Sequence, residues 1–122
     1  GCVVWGALYD VLNDLYDPYP PLHEQLQWIG GCGSDAEARR KYAAFTLEGQ
    51  LRNVRCPVLV THGSRDHMVP VASAQRLYDE LTVADKELRI FDDEIGGSGH
   101  YSVDNWTQVV AYQIDWLLDR LG

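Results

Sequence analysis

Two short apolar runs, Cys2 to Leu8 and Pro57 to Thr61, constrain this chain more than any other feature. Runs that are apolar at consecutive rather than alternate positions suit strands covered on both faces, as in a parallel sheet flanked by helices. For the first run, periodicity alone leaves a buried helix open. The second reads as a strand, with Pro57 tolerated at its first residue and His62-Gly63 ending it. Positions Val71, Ala74, Leu77, Tyr78 and Leu81 then trace one face of an amphipathic helix, the natural crossover to a third, more peripheral strand over Lys86 to Phe91.

The segments between and after these strands have their own signatures. From Tyr9 to Gly33, with Pro18, Pro20 and Pro21, regular structure is expected to be interrupted. Ser34 followed by Glu37 is a capping-box pattern that predicts a helix to about Leu47, with Ala38, Tyr42 and Phe45 on one face and Gly49 as its stop. Residues 10–53 together form a cap-like excursion from the sheet. Gly96, Gly97 and Gly99 mark a tight loop. From about Asp104 to Leu121, Val110, Ile114, Leu117, Leu118 and Leu121 share a stripe, which predicts a long helix packed on the sheet. This order of elements implies a single α/β layered domain over 1–122, whose ligands would bind outside the carboxyl ends of the strands. Gly1 leads without an initiator methionine straight into an apolar run, so a fragment entered in mid-sheet is expected.

Eighteen acidic against ten basic side chains give a formal charge of −8, which repels phosphate backbones and anionic headgroups. Neither nucleic acid nor membrane is expected as a partner. No run of about 20 apolar residues is present to span a bilayer, and no targeting segment is visible. Cys2, Cys32 and Cys56 are too few and too irregular for a disulfide framework or a zinc site, which fits a reducing, cytoplasmic setting.

The strongest chemical constellation is Asp66 in the loop after one strand and His100 in the glycine-rich loop after the next. Adjacent strand ends can bring them together, and a carboxylate there would accept the imidazole Nδ1–H while Nε2 takes a proton from a nucleophile. Alone, an aspartate and a histidine are a weak signal, since loop aspartates cap turns and lone histidines are commonly structural. His62 and His67 flank the acid, but Asp66 and His67 point apart and no compact ligand spacing recurs, so no metal is expected. Ser34 follows no strand and has no Gly-x-Ser-x-Gly setting, which makes it a helix cap. Ser64 and Ser98 read as loop formers, and the cysteines as buried or incidental thiols. Asp92, Asp93 and Glu94 read as a solvated acidic turn.

The stretches CPVLVTHGSRDHMVP and RIFDDEIGGSGHYSVDNW resemble the C-terminal part of α/β-hydrolases. The branch they resemble includes 2,6-dihydropseudooxynicotine hydrolase and fungal polyketide-shortening hydrolases of the yellowish-green pigment type. The resemblance implies an incomplete sheet with part of a cap, and a serine hydrolase in which Asp66 and His100 match the acid and the base. It implies no cofactor, and it points to esters or carbon–carbon bonds beside a ketone in small apolar or aromatic carbonyl substrates. Trp28, Tyr42 and Phe45 could line such a substrate's pocket. The nucleophile would come from an N-terminal half, in cis or as a separate chain, and a second copy of the chain is a further candidate partner. A non-catalytic module or pseudoenzyme that binds a protein through an open sheet edge is the rival reading, and a cysteine-nucleophile lactone hydrolase a third.

Overall fold

The computed structural model describes residues 1–121. Strands β1 (Cys2–Trp5), β2 (Val58–Gly63) and β3 (Lys86–Phe91) form a parallel sheet in the order β1-β2-β3. Cys2 pairs with Val58 at one end of the register, and Gly63 with Phe91 at the other. The helices are α1 (His23–Gly30), α2 (Asp35–Tyr42), α3 (Val71–Glu80) and α4 (Trp106–Leu121). The expected layered α/β arrangement is what forms, with a sheet of three strands that stays open at its edges.

Every residue of β2 is buried, because side chains alternate across it. Val58 and Val60 join Ala7, Tyr9, Leu51, Ala74, Leu77 and Leu81 in the core beneath α3. Thr61 belongs to the other face, where its Oγ1 accepts from Gln113 of α4 at 2.9 Å. On α3 and its C-cap, Ala74, Leu77 and Leu81 are buried as expected, but Ser73 is fully buried while Val71 is exposed. The Ser73 hydroxyl explains its burial. It accepts from the Tyr9 backbone at 2.7 Å and donates to Asp14 at 2.8 Å.

The first strand is shorter and more open than its apolar run suggests. Gly6, at φ +68°, ends it, and Cys2 is exposed rather than buried. Among the described residues no strand pairs with the other side of β1, so its outer flank stays accessible.

The excursion holds more helix than its prolines suggest. Pro20 and Pro21 open a short 3₁₀ turn, Pro20–Leu22, that feeds α1, since proline fits a first turn where no N–H is needed. α1 ends in a Schellman motif. Gly31 is at φ +62°, its N–H donates to Trp28 O at 3.0 Å, and the Cys32 N–H donates to Gln27 O at 2.8 Å. Ser34 caps α2 as expected, accepting from Glu37 N at 3.3 Å, while the Glu37 carboxylate accepts from Gly33 N at 2.8 Å. The helix stops at Tyr42, short of Leu47, because residues 45–47 return to the excursion's base. There Val11 N donates to Phe45 O and Leu47 N to Tyr9 O. Gly49 lies beyond that return, at φ +70°. Tyr16, Ala38 and Tyr42 form a second small core.

The largest departure concerns α4. The face that meets the sheet is Val109, Gln113 and Trp116, while Ile114, Leu118 and Leu121 of the expected stripe are exposed. Gln113 can enter because Thr61 offers an acceptor, and Trp116 because its Nε1–H donates to Glu87 at 3.0 Å. A pattern of aliphatic residues alone does not register a glutamine and a tryptophan whose polar atoms are paired.

Candidate active site

β2 and β3 end side by side, and their following loops are fastened to each other. Ser64 N donates to Phe91 O at 2.8 Å and Arg65 N to Ser98 O at 2.9 Å. Gly63 makes the approach feasible: a methyl there would stand 2.3 Å from the Ser98 carbonyl oxygen. Above them, Arg65 and Asp93 pair across the two loops at 2.9 Å, so one member of the acidic turn bridges to its neighbour. Asp92 accepts from Glu94 N and Ile95 N at 3.1 Å each and shapes the turn itself.

Asp66 is wholly buried at its side chain. Its Oδ1 accepts from the Met68 and Val69 backbone N–H groups at 2.9 Å each, which fixes the carboxylate plane. That leaves Oδ2 for His100, whose Nδ1 lies 2.8 Å away. An ionised carboxylate can only accept, so Nδ1 donates to it, which in the neutral ring leaves the lone pair on Nε2. The His100 side chain is partly exposed, 18%, so the free nitrogen can meet a reactant. A histidine held this way can take a proton at Nε2 while the carboxylate stabilises the resulting imidazolium.

The histidine loop is built around a residue that sequence reasoning missed. Asp104 accepts from Gly97 N at 2.7 Å, Ser98 N at 3.0 Å and Gly99 N at 2.9 Å. The Gly99 N–H, then those of Gly97 and Ser98, hold its carboxyl below the usual carboxylate range against the opposing effect of burial. Gly96 and Gly97, at φ +85° and +88°, let the loop fold around that carboxylate. Tyr101 and Ser102 also sit in the left-handed region, at φ 48° and 53°, strained conformations for non-glycine residues. The available signal was an acidic residue a few positions beyond Gly96-Gly97-Ser98-Gly99.

The other singled-out residues fall elsewhere. Tyr42 is buried in the core of the excursion, its hydroxyl donating to Leu26 O at 2.6 Å. Phe45 is 51% exposed and lines an open cavity of about 350 Å³ with Tyr9, Val11 and Leu47, which neither Asp66 nor His100 borders. Trp28 is 83% exposed on α1. The structure therefore brings Asp66 and His100 together, while Tyr42 and Phe45 meet edge to face with ring centroids 5.8 Å apart. His67 turns away from the acid toward Tyr19, their rings 6.0 Å apart. Cys56, like Cys2, is exposed. No described helix is long and apolar enough to cross a membrane.

Comparison with known proteins agrees with this architecture. Residues 40–94 match the family described as Hydrolase_4, serine aminopeptidase S33, a span that includes Asp66 and stops before His100. Over 107 residues the chain is 30% identical to the alpha/beta hydrolase psoB of Aspergillus fumigatus, covering 80% of this chain and 24% of that protein. The crystal structure of 2,6-dihydroxy-pseudo-oxynicotine hydrolase is similar at a TM-score of 0.64 and 23% identity, over 84% of this chain and 28% of that one. At that identity the likeness speaks for the fold. The chain thus spans about a quarter of the length of each of these two proteins. Sequence and fold are together similar to those of α/β-hydrolases, and this chain has one part of that fold.

Proposed function

We propose that this chain supplies the acid, Asp66, and the base, His100, of a serine hydrolase whose nucleophile lies in residues outside these 122. The observation that carries this reading is the buried Asp66 carboxylate 2.8 Å from His100 Nδ1, at the ends of two adjacent parallel strands. Acid before histidine is the chain order of α/β-hydrolases. The relatives' names support a hydrolase, and their length supports a nucleophile contributed from elsewhere. The open flank of β1 and the exposed stripe of α4 are where a further strand and helix would pack.

In the proposed reaction His100 Nε2 takes the proton of the serine hydroxyl as its oxygen attacks a substrate carbonyl. The tetrahedral oxyanion is held by backbone N–H groups of the completed site. As the carbonyl re-forms, the imidazolium returns its proton to the leaving group. For an ester this is an alkoxide, and for a ketone-adjacent carbon–carbon bond it is an enolate or phenolate carbanion. Water activated by the same nitrogen then releases the acyl group. Small apolar or aromatic carbonyl compounds are the proposed substrates, with no cofactor.

The rival is a non-catalytic module that binds a protein along the same open edge of β1. Intact mass spectrometry of the longer protein with a fluorophosphonate probe separates the two. A serine adduct outside these residues, slowed about a thousandfold or more in His100→Ala, is expected. No adduct, or labelling indifferent to His100, would favour the binding module, and an adduct on a cysteine would favour a cysteine-nucleophile enzyme.

A further inference from the structure

His62 is a buried histidine that the proposed reaction does not use. Its side chain is wholly buried at the carboxyl end of β2, where it pairs in register with Ile90. Its Nε2 lies 3.0 Å from the Val69 carbonyl oxygen and 3.5 Å from Asp66 Oδ2. Its Nδ1 is buried without a hydrogen-bond partner. A carbonyl oxygen only accepts, so Nε2 carries a proton and donates it to Val69. An unpaired buried nitrogen costs stability, so packing alone would be served better by an aliphatic residue. What the ring contributes is its one donor.

That donor fastens the acid loop to the sheet. Val69 is held at both ends: its N–H donates to Asp66 Oδ1 at 2.9 Å, and its carbonyl accepts from His62. The same Nε2–H faces Oδ2, the oxygen that accepts from His100. Strand β2, rigid and wholly buried, thereby sets the position of a carboxylate that otherwise hangs on a loop.

We infer that His62 is a positioning residue, which fixes the Asp66 carboxylate for His100 by donating from Nε2 to Val69. The inference rests on the proposed function of the dyad. Displacing a catalytic group by about an ångström can cost a hundredfold in rate.

The test compares His62→Asn, His62→Gln and His100→Ala in the longer protein, with p-nitrophenyl butyrate turnover and fluorophosphonate labelling as readouts. A glutamine amide ends near the level of Nε2 and can reach Val69 O; an asparagine amide ends near Nδ1 and cannot. His62→Asn is expected to lower kcat about tenfold to a hundredfold with KM within about twofold, and His62→Gln to restore kcat to within about threefold. Full kcat in His62→Asn, or a loss that glutamine leaves unrepaired, overturns the inference. If the asparagine variant does not fold, the glutamine variant decides alone, since a loss on its part as large as that of His100→Ala overturns it too. An active His100→Ala protein would instead remove the underlying reading of the dyad, which separates the two failures.

Discussion

Asp104 holds the peptide groups of Gly97, Ser98 and Gly99 in the loop that presents His100, and it holds them most strongly while ionised. Its carboxyl is held below its ordinary value, so the stability it contributes is fully present above the unfolded carboxylate pKa of about 3.9 and is lost as pH falls through the lower folded value. Asp104→Asn replaces one acceptor by an amide that cannot accept from Gly99 N. The variant is expected to melt lower than wild type at pH 7 and to converge with it toward pH 2, as followed by circular dichroism. Equal melting temperatures at pH 7 would mean that the loop holds its shape without this clamp. Asp66 and His100 were legible because their loops carry a recognisable wording, whereas their 2.8 Å separation was not. That distance depends on Gly63 allowing the Ser98 carbonyl to approach, and on the backbone donors that orient each carboxylate.

Helices and strands were legible where one period dominated. β2, β3 and α3 lie where alternation, apolar runs and helical spacing put them. α1 was hidden by prolines that start it rather than break it, and α2 is cut short by the antiparallel contact of Asp10 with Thr46. Beside the apolar contact of Leu51 with β2 and α3, a polar link joins the excursion to the sheet layer. Ser73 on α3 receives Tyr9 N and donates to Asp14, whose carboxylate also accepts from Asp10 N at 2.9 Å and lies 3.6 Å from Arg76. Ser73→Ala would leave the buried Tyr9 N–H unpaired and remove a donor from Asp14, at a cost of about 1–3 kcal/mol. Urea unfolding monitored by tryptophan fluorescence checks this. Stability unchanged within about 0.5 kcal/mol would show that water replaces the hydroxyl without loss.

The molecule as a whole leaves apolar surface open on more than one side. An apolar cavity of about 380 Å³ lined by Leu51, Val58, Leu77 and Leu81 opens into the core beneath α3, and the flank of β1 and the outer stripe of α4 are exposed, Leu118 at 59%. On the proposed function that stripe is covered by the remaining hydrolase residues. Leu118→Ala in the longer protein is then expected to lower its stability by about 2 kcal/mol, the low end for a buried leucine. A change within about 0.5 kcal/mol in chemical denaturation would show that the stripe stays in water there. Order of elements, parallel pairing and the loops that carry Asp66 and His100 follow from local patterns, because periodicity, turn chemistry and loop wording are properties of neighbouring residues. Which face of α4 meets the sheet, where α2 stops and how His62 and Asp104 serve the dyad depend on contacts between residues far apart in the chain. Those contacts are settled by which polar groups find partners when the layers close, and no local period encodes that.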